Sequence, residues 1–254
     1  MPLRPARSNV CYRRPDAMPN DGAGMKRGWM STGELRERWG DSLLTVLTVL
    51  LVIMIFVVAP LQALGLFEFQ IFELLLALVL VGGVFLMSGS ALAVVTMLVA
   101  LVMIVTGGIL RLRSPSIFDL NLFAGSWLLV GLTMAVTVAR ATFAPGRVTY
   151  HRVIGAVLLY LTVAVIFAAL YTFVGTLRPD AFPGMKVEDS PTLASRVLYF
   201  SFATLTTTGY GDVAPLHPIA RSLCNLEAIF GQLYPATLLA RLVTLEIEHR
   251  NEES

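Results

Sequence analysis

Residues 204 to 215 read "TLTTTGYGDVAP", a run of hydroxyls, two glycines and an aspartate set between two strongly apolar stretches. Gly209 and Gly211 alternate with Thr208 and Tyr210. Glycine visits left-handed backbone conformations at little steric cost, so this alternation lets successive carbonyls face one way instead of zigzagging as in a strand. A row of carbonyls facing one way replaces the water around a dehydrated cation. Coordination by the main chain, rather than covalent chemistry, is what these residue types offer.

The rest of the chain must hold that row in place. Of its 254 residues 56% are hydrophobic and 14% charged, with a mean hydropathy of +0.74, whereas soluble domains carry about 25% charged residues. Apolar stretches of about 17 to 25 residues cross a hydrocarbon core of roughly 30 Å. They are expected at 43–64, 71–88, 91–110, 118–139, 153–175 and 219–246. The expected fold is therefore an all-α integral membrane protein with six transmembrane helices. Residues 1–41 are polar, rich in Pro and Arg, without the apolar core of a cleaved signal, and are read as a disordered tail. Met18, Met25 and Met30 are alternative starting points within it. Cys11 and Cys224, and His151, His217 and His249, are too scattered for a disulfide framework or a structural metal site.

Short-flank Lys and Arg give the orientation. The tail to residue 41 has eight Lys/Arg against five Asp/Glu, and 140–152 carries Arg140, Arg147 and Arg152 with no acid. Segment 177–192 has two basic residues against Asp180, Glu188 and Asp189. Both termini are thus expected inside, with 177–192 outside. Arg111 and Arg113 disagree, since six spans put them outside.

Between the fifth and sixth spans the chain does not simply cross over. Ser190-Pro191 reads as a helix start, N-cap followed by proline at the first helical position. The following "TLASRVLYFSFATL" is long enough to reach only about half way across the membrane. A re-entrant half-helix is expected. Irregular backbone at membrane depth survives only where it is buried in protein or lines a wet path, so TTTGYGD must line one. The C-terminal carbonyls of the half-helix present about half a negative elementary charge there.

These residues carry a resemblance. "TTTGYGD" resembles the potassium-channel signature, and apolar span, half-helix, irregular loop and glycine-containing last span look like that superfamily's pore domain over roughly 150–247. "IARSLCNLEAIFGQLYPATLLARLV" is similar to the inner helix of bacterial members. The resemblance implies a potassium-selective channel in the bacterial plasma (inner) membrane, passive, not an enzyme, without cofactor or nucleic-acid partner. Its only ligands would be the permeant K+ and membrane lipid. Thr207, Thr208, Gly209 and Tyr210 would coordinate K+ as a selectivity filter, supported by Gly211, Asp212 and Tyr199. Thr208 stands where valine is commoner, with its side chain expected to face away from the ion path. Ala203 stands where some members have a glutamate that braces the aspartate, which leaves Tyr199 to brace Asp212. One signature per chain and four per ring imply a homotetramer.

Gly231 lies nineteen residues after Asp212, where the family has its inner-helix glycine, and Pro235 removes the hydrogen bond that would reach the Gly231 carbonyl. The pair reads as a gating hinge, weighed against close helix packing at a small residue. Gln232, Pro235, Leu239 and Val243 share one helical stripe, which by resemblance lines the cavity. Leu239 and Val243 are the candidate apolar constriction. Glu227, about 140° away from Gln232 around the helix, is expected to hydrogen-bond toward the half-helix.

The resulting divisions are 1–41 (tail), 42–142 (four-helix region), 150–247 (pore domain) and 248–254 (short cytoplasmic tail). The fourth span has only Asp119 and Arg140, at its ends, so it lacks the arginine ladder of a voltage sensor. Three other readings compete. A non-selective or poorly conducting cation-channel subunit shares every feature named above. An intramembrane aspartyl protease is suggested by Gly-Tyr-Gly-Asp, with Asp119 as second carboxylate, but Pro215 and Pro218 deny Asp212 the buried helix it needs. A transporter with broken helices predicts a repeat of the break, for which Gly82-Gly83 and Gly107-Gly108 are weak matches.

Overall fold

The computed structural model describes residues 32–65, 78–83, 90–113, 116–143 and 150–253, and among these every regular element is helical. In a bilayer that is the economical solution, because a helix satisfies its backbone groups within one segment. The elements are α1 (Thr32–Ile53), α2 (Ala59–Ala63), α3 (Ala91–Arg113), α4 (Ile117–Thr142), α5 (Tyr150–Leu177), α6 (Leu193–Leu205) and α7 (Pro218–Glu253). Among the described residues four stretches are long and apolar enough to cross a membrane: Leu43–Ala63, Ala91–Arg111, Ile117–Thr142 and Val153–Leu177.

Two boundaries differ from the sequence reading. Helix α1 starts at Thr32, so the expected disordered tail ends earlier than residue 41, and its remainder lies outside the described residues. The short tail expected from 248 is helical to Glu253, as the continuation of α7. The span expected at 71–88 falls outside the described residues except for helical backbone at 78–83. The span expected at 219–246 is one uninterrupted helix. It mixes Arg221, Glu227, Gln232, Arg241 and Glu246 into its apolar run and is not among the four apolar stretches.

Between α1 and α2 the backbone forms a π-turn, Met54–Val58, in which the Ala59 N–H reaches the Met54 carbonyl. Pro60 explains the detour, because it has no N–H to give the residue four positions earlier. Helix α4 opens with Ser116, whose hydroxyl accepts from the Phe118 N–H at 3.0 Å. Asp119 in its first turn and Arg140 in its last complement the helix dipole.

Helices α4 and α5 form the central pair. A Cβ on Gly131 would come 2.7 Å from Ile166, so the small residue sets how closely they approach. One core joins α1, α4 and α5 to Tyr234 of α7. A second joins the later half of α5, the loop residues Phe182 and Met185, α6 and the start of α7. This second core holds the 204–215 segment. Arg111 at the end of α3 pairs with Asp189 in the α5–α6 loop, which neutralises a charge the sequence reading treated as an exception and puts both segments at the same end of the bundle.

Candidate functional site

The site begins where α6 ends. Its start differs from expectation: Ser190 and Pro191 form a turn, Leu193 N–H bonding the Ser190 carbonyl at 3.1 Å, and helix begins at Leu193 with no side-chain cap from Thr192. At the other end Thr206 N–H reaches Phe202 O at 2.9 Å and Thr207 N–H reaches Thr204 O at 2.9 Å. Gly209 N–H returns to Ala203 O at 3.1 Å. Three successive bonds thus tie the irregular segment to the last turn of the helix.

Beyond that turn the backbone alternates in hand. Thr207 (φ 56°), Gly209 (φ 56°) and Gly211 (φ 82°) are left-handed, whereas Thr208 and Tyr210 are not. The glycines meet this demand freely. Thr207 does not, since a β-branched residue at positive φ is strained by about 1–2 kcal/mol; nothing in its residue type signalled this conformation. Its hydroxyl accepts from Gln232 Nε2 on α7 at 2.9 Å. Thr208 Oγ1 lies 2.8 Å from Thr206 Oγ1, whose hydroxyl also reaches Phe202 O at 2.7 Å.

The outer part of the segment is held by rings and by the preceding loop. Tyr210 stacks on Tyr199 of α6, centroids 5.7 Å apart and planes 12° from parallel. Asp212 lies near the Tyr199 phenol. Leu216 N–H bonds Ala181 O at 2.9 Å and Ala214 N–H bonds Pro183 O at 3.3 Å. Gly184 (φ 92°) sits so close that a Cβ there would overlap the Asp212 carbonyl oxygen. No local pattern of residues points to this strap.

Beneath the segment lies a buried polar knot. Glu227 of α7 is 0% exposed, and it accepts from the Ser201 hydroxyl of α6 and the Tyr171 hydroxyl of α5. Ser201 also donates to Ala164 O at 2.8 Å. A carboxylate in such a place needs this satisfaction, because an unpaired buried charge costs several kcal/mol. The knot ties three helices together at one point. The bond to α6 was expected from the rotation of Glu227 around its helix, whereas Tyr171, 56 residues away, could not be read from sequence.

Gly231 packs on the same joint. A Cβ there would overlap the Leu205 carbonyl oxygen, the last of α6. Close approach is therefore one role of this glycine, beside the hinge expected of it. Tyr234, one turn on, donates to Ala156 O at 2.9 Å and stacks with Phe230 and Tyr160. Gln232, Pro235, Leu239 and Val243 are all exposed on the chain, so they lie on a face turned from its own core. Gln232 reaches the 204–215 segment, while Leu239 and Val243 lie farther down α7 with no contact to it described. Asp119, the second carboxylate of the protease reading, is buried between α3 and α4, whereas Asp212 is exposed.

Comparison with known proteins falls on the same part of the chain. A family model described as Ion channel matches residues 155–247. The inward rectifier potassium channel Kirbac3.1 of Paramagnetospirillum magnetotacticum is 35% identical over 75 residues, which are 30% of this chain and 23% of that protein. Protein LctB of Bacillus caldotenax is 33% identical over 94 residues, 36% of this chain and 69% of that protein. The chain thus spans less than a quarter of the first relative's length. No solved structure matches it.

Proposed function

Because the chain belongs to the ion-channel family, as a member of the potassium-channel superfamily and not an enzyme, we propose that it conducts K+ passively and selectively through a homotetrameric pore. The observation that carries this reading is the alternation of left-handed backbone at Thr207, Gly209 and Gly211 directly after α6. With Thr208 and Tyr210 between them, such a chain turns its carbonyls to one side. Thr207, Thr208, Gly209 and Tyr210 then replace the hydration shell of the ion, and the C-terminal end of α6 adds its dipole. Gly211, Asp212 and Tyr199 brace the outer end.

In this reading α6 is the pore half-helix and α7 the inner helix, giving six crossings with the 71–88 segment and both termini in the cytoplasm of a cell bounded by its plasma membrane. One chain supplies one side of a filter, and four are needed to surround an ion. The exposed apolar residues of α7, Leu226, Ile229, Leu233, Leu239 and Val243 among them, support assembly around a common axis. Gln232 lines the cavity next to Thr207, and Leu239 and Val243 close it by dewetting. Gly231 and Pro235 form the bending point. No cofactor takes part.

The test is flux from purified protein in liposomes under a K+ gradient. Passage of K+ and Rb+ with Na+ excluded, and block by Ba2+, is the expected result. Equal passage of Na+ would overturn selectivity and favour a non-selective cation channel.

A further inference from the structure

A cavity of about 290 Å³ lies between the four membrane-crossing stretches and α6. Its walls include Ile55 at the π-turn, Phe123 and Trp127 of α4, and Val197 of α6. A water's share of liquid volume is about 30 Å³, and apolar cavities of this kind take apolar guests rather than water. Since the walls belong to membrane helices, the guest comes from the bilayer.

One end of the cavity is polar. Arg111, Asp119 and Asp189 line it. Arg111 and Asp189 are paired with each other. Asp119 is 6% exposed, and its Oδ2 has no hydrogen-bond partner among the described residues. The dipole of α4 favours an acid in the first turn, but it gives that oxygen no donor. Among the described residues, two carboxylates against one guanidinium leave this end formally negative. The missing group is therefore an N–H donor carrying positive charge, at the end of an apolar body.

We propose that this cavity binds a bilayer phospholipid with an ethanolamine-type headgroup, its acyl chain along the apolar walls and its ammonium on the Asp119 carboxylate. Choline headgroups have no N–H to donate, and glycerol headgroups leave the phosphate's negative charge beside two acids. The site is separate from the ion path, and the inference does not depend on which ion the pore selects.

The test is native mass spectrometry of the full chain, released from nanodiscs of ethanolamine, choline or glycerol phospholipids with identical acyl chains. Retained lipid is expected to favour ethanolamine by about tenfold, the size of one charge-assisted hydrogen bond. Asp119→Asn should remove that preference. Gly108→Phe supplies an independent arm: Gly108 lines the cavity, open space surrounds the position its Cβ would take, and replacing a helical glycine does not threaten the fold. It should displace lipids of all three headgroups. Equal retention of the three headgroups by the unmodified protein, or ethanolamine-lipid retention unchanged in Gly108→Phe, would overturn the proposal.

Discussion

Gly231 of α7 and Leu205, the last residue of α6, meet backbone to backbone, with no room for a Cβ between them. Helix α7 therefore seats directly on the end of α6, just before the 207–212 segment. Gly231→Ala is expected to push the two apart, with a loss of about 1–3 kcal/mol in stability, the usual cost of overpacking. Denaturation of the purified assembly in detergent measures it. A purely hinge-like glycine would leave that midpoint unmoved and change only open probability.

Gly209 has open space around it, so its substitution acts through backbone hand alone. Gly209→Ala should strain the segment by about 1 kcal/mol or turn one carbonyl away. K+ preference in the liposome assay is expected to be lost while membrane insertion persists. Tyr210→Ala, which removes the stack on Tyr199, is expected to do the same. Selectivity like that of the unmodified protein in either variant would sink the filter assignment.

The Glu227 knot predicts an ordering. Tyr171→Phe removes one donor from a fully buried carboxylate and should cost about 1–3 kcal/mol. Glu227→Gln keeps the shape and an acceptor, whereas Glu227→Ala strands the Ser201 and Tyr171 hydroxyls and opens a void. Stability should fall least in the amide and most in the alanine variant. Thermal unfolding of the purified protein in detergent ranks them, and equal midpoints would contradict a knot that holds α5, α6 and α7 together.

Pro235 interrupts the hydrogen-bond ladder of α7 without breaking the helix. Pro235→Ala should restore a bond to the Gly231 carbonyl and stiffen the helix there. Single-channel recording is expected to show changed open probability with the same K+/Na+ ratio. A changed ratio with unchanged gating would count against bending at this point.

Much of the site was legible because few residue types satisfy its demands. Gly209 and Gly211 announced left-handed backbone, and the rotation of Glu227 away from Gln232 followed from helix geometry, so its approach to α6 could be anticipated. Tyr199 was singled out by asking what could brace Asp212 in place of the missing partner at Ala203, and the contact it makes with the segment is its stack on Tyr210. Other features depend on contacts that no local pattern encodes. Thr207 is left-handed against its own preference, Gly184 fits only because the loop folds back on Asp212, and Tyr171 comes from another helix altogether. The start of α6 was misplaced because Ser190-Pro191 satisfies the capping pattern yet forms a turn. Whether Gly231 served packing or bending turned on the position of Leu205, which is 26 residues earlier in the chain.

The Arg241 side chain, near the far end of α7, donates to the Phe143 carbonyl at 3.0 Å and lies 4.9 Å from the centre of its ring. Phe143 closes α4, so the contact joins α7 back to the end of that helix. Under the proposed bending at Pro235, a swing of α7 would meet this contact six residues on, and the motion would be shared with α4 or the contact would open. Arg241→Ala should uncouple them and shift the open–closed balance by a few-fold, since a partly exposed contact of this kind contributes about 0.5–1 kcal/mol. Spin labels on α4 and on the end of α7 would then separate independently, whereas in the intact protein their displacements stay correlated. In the proposed channel α4, which carries no ladder of sensing charges, would then act as mechanical ballast for α7.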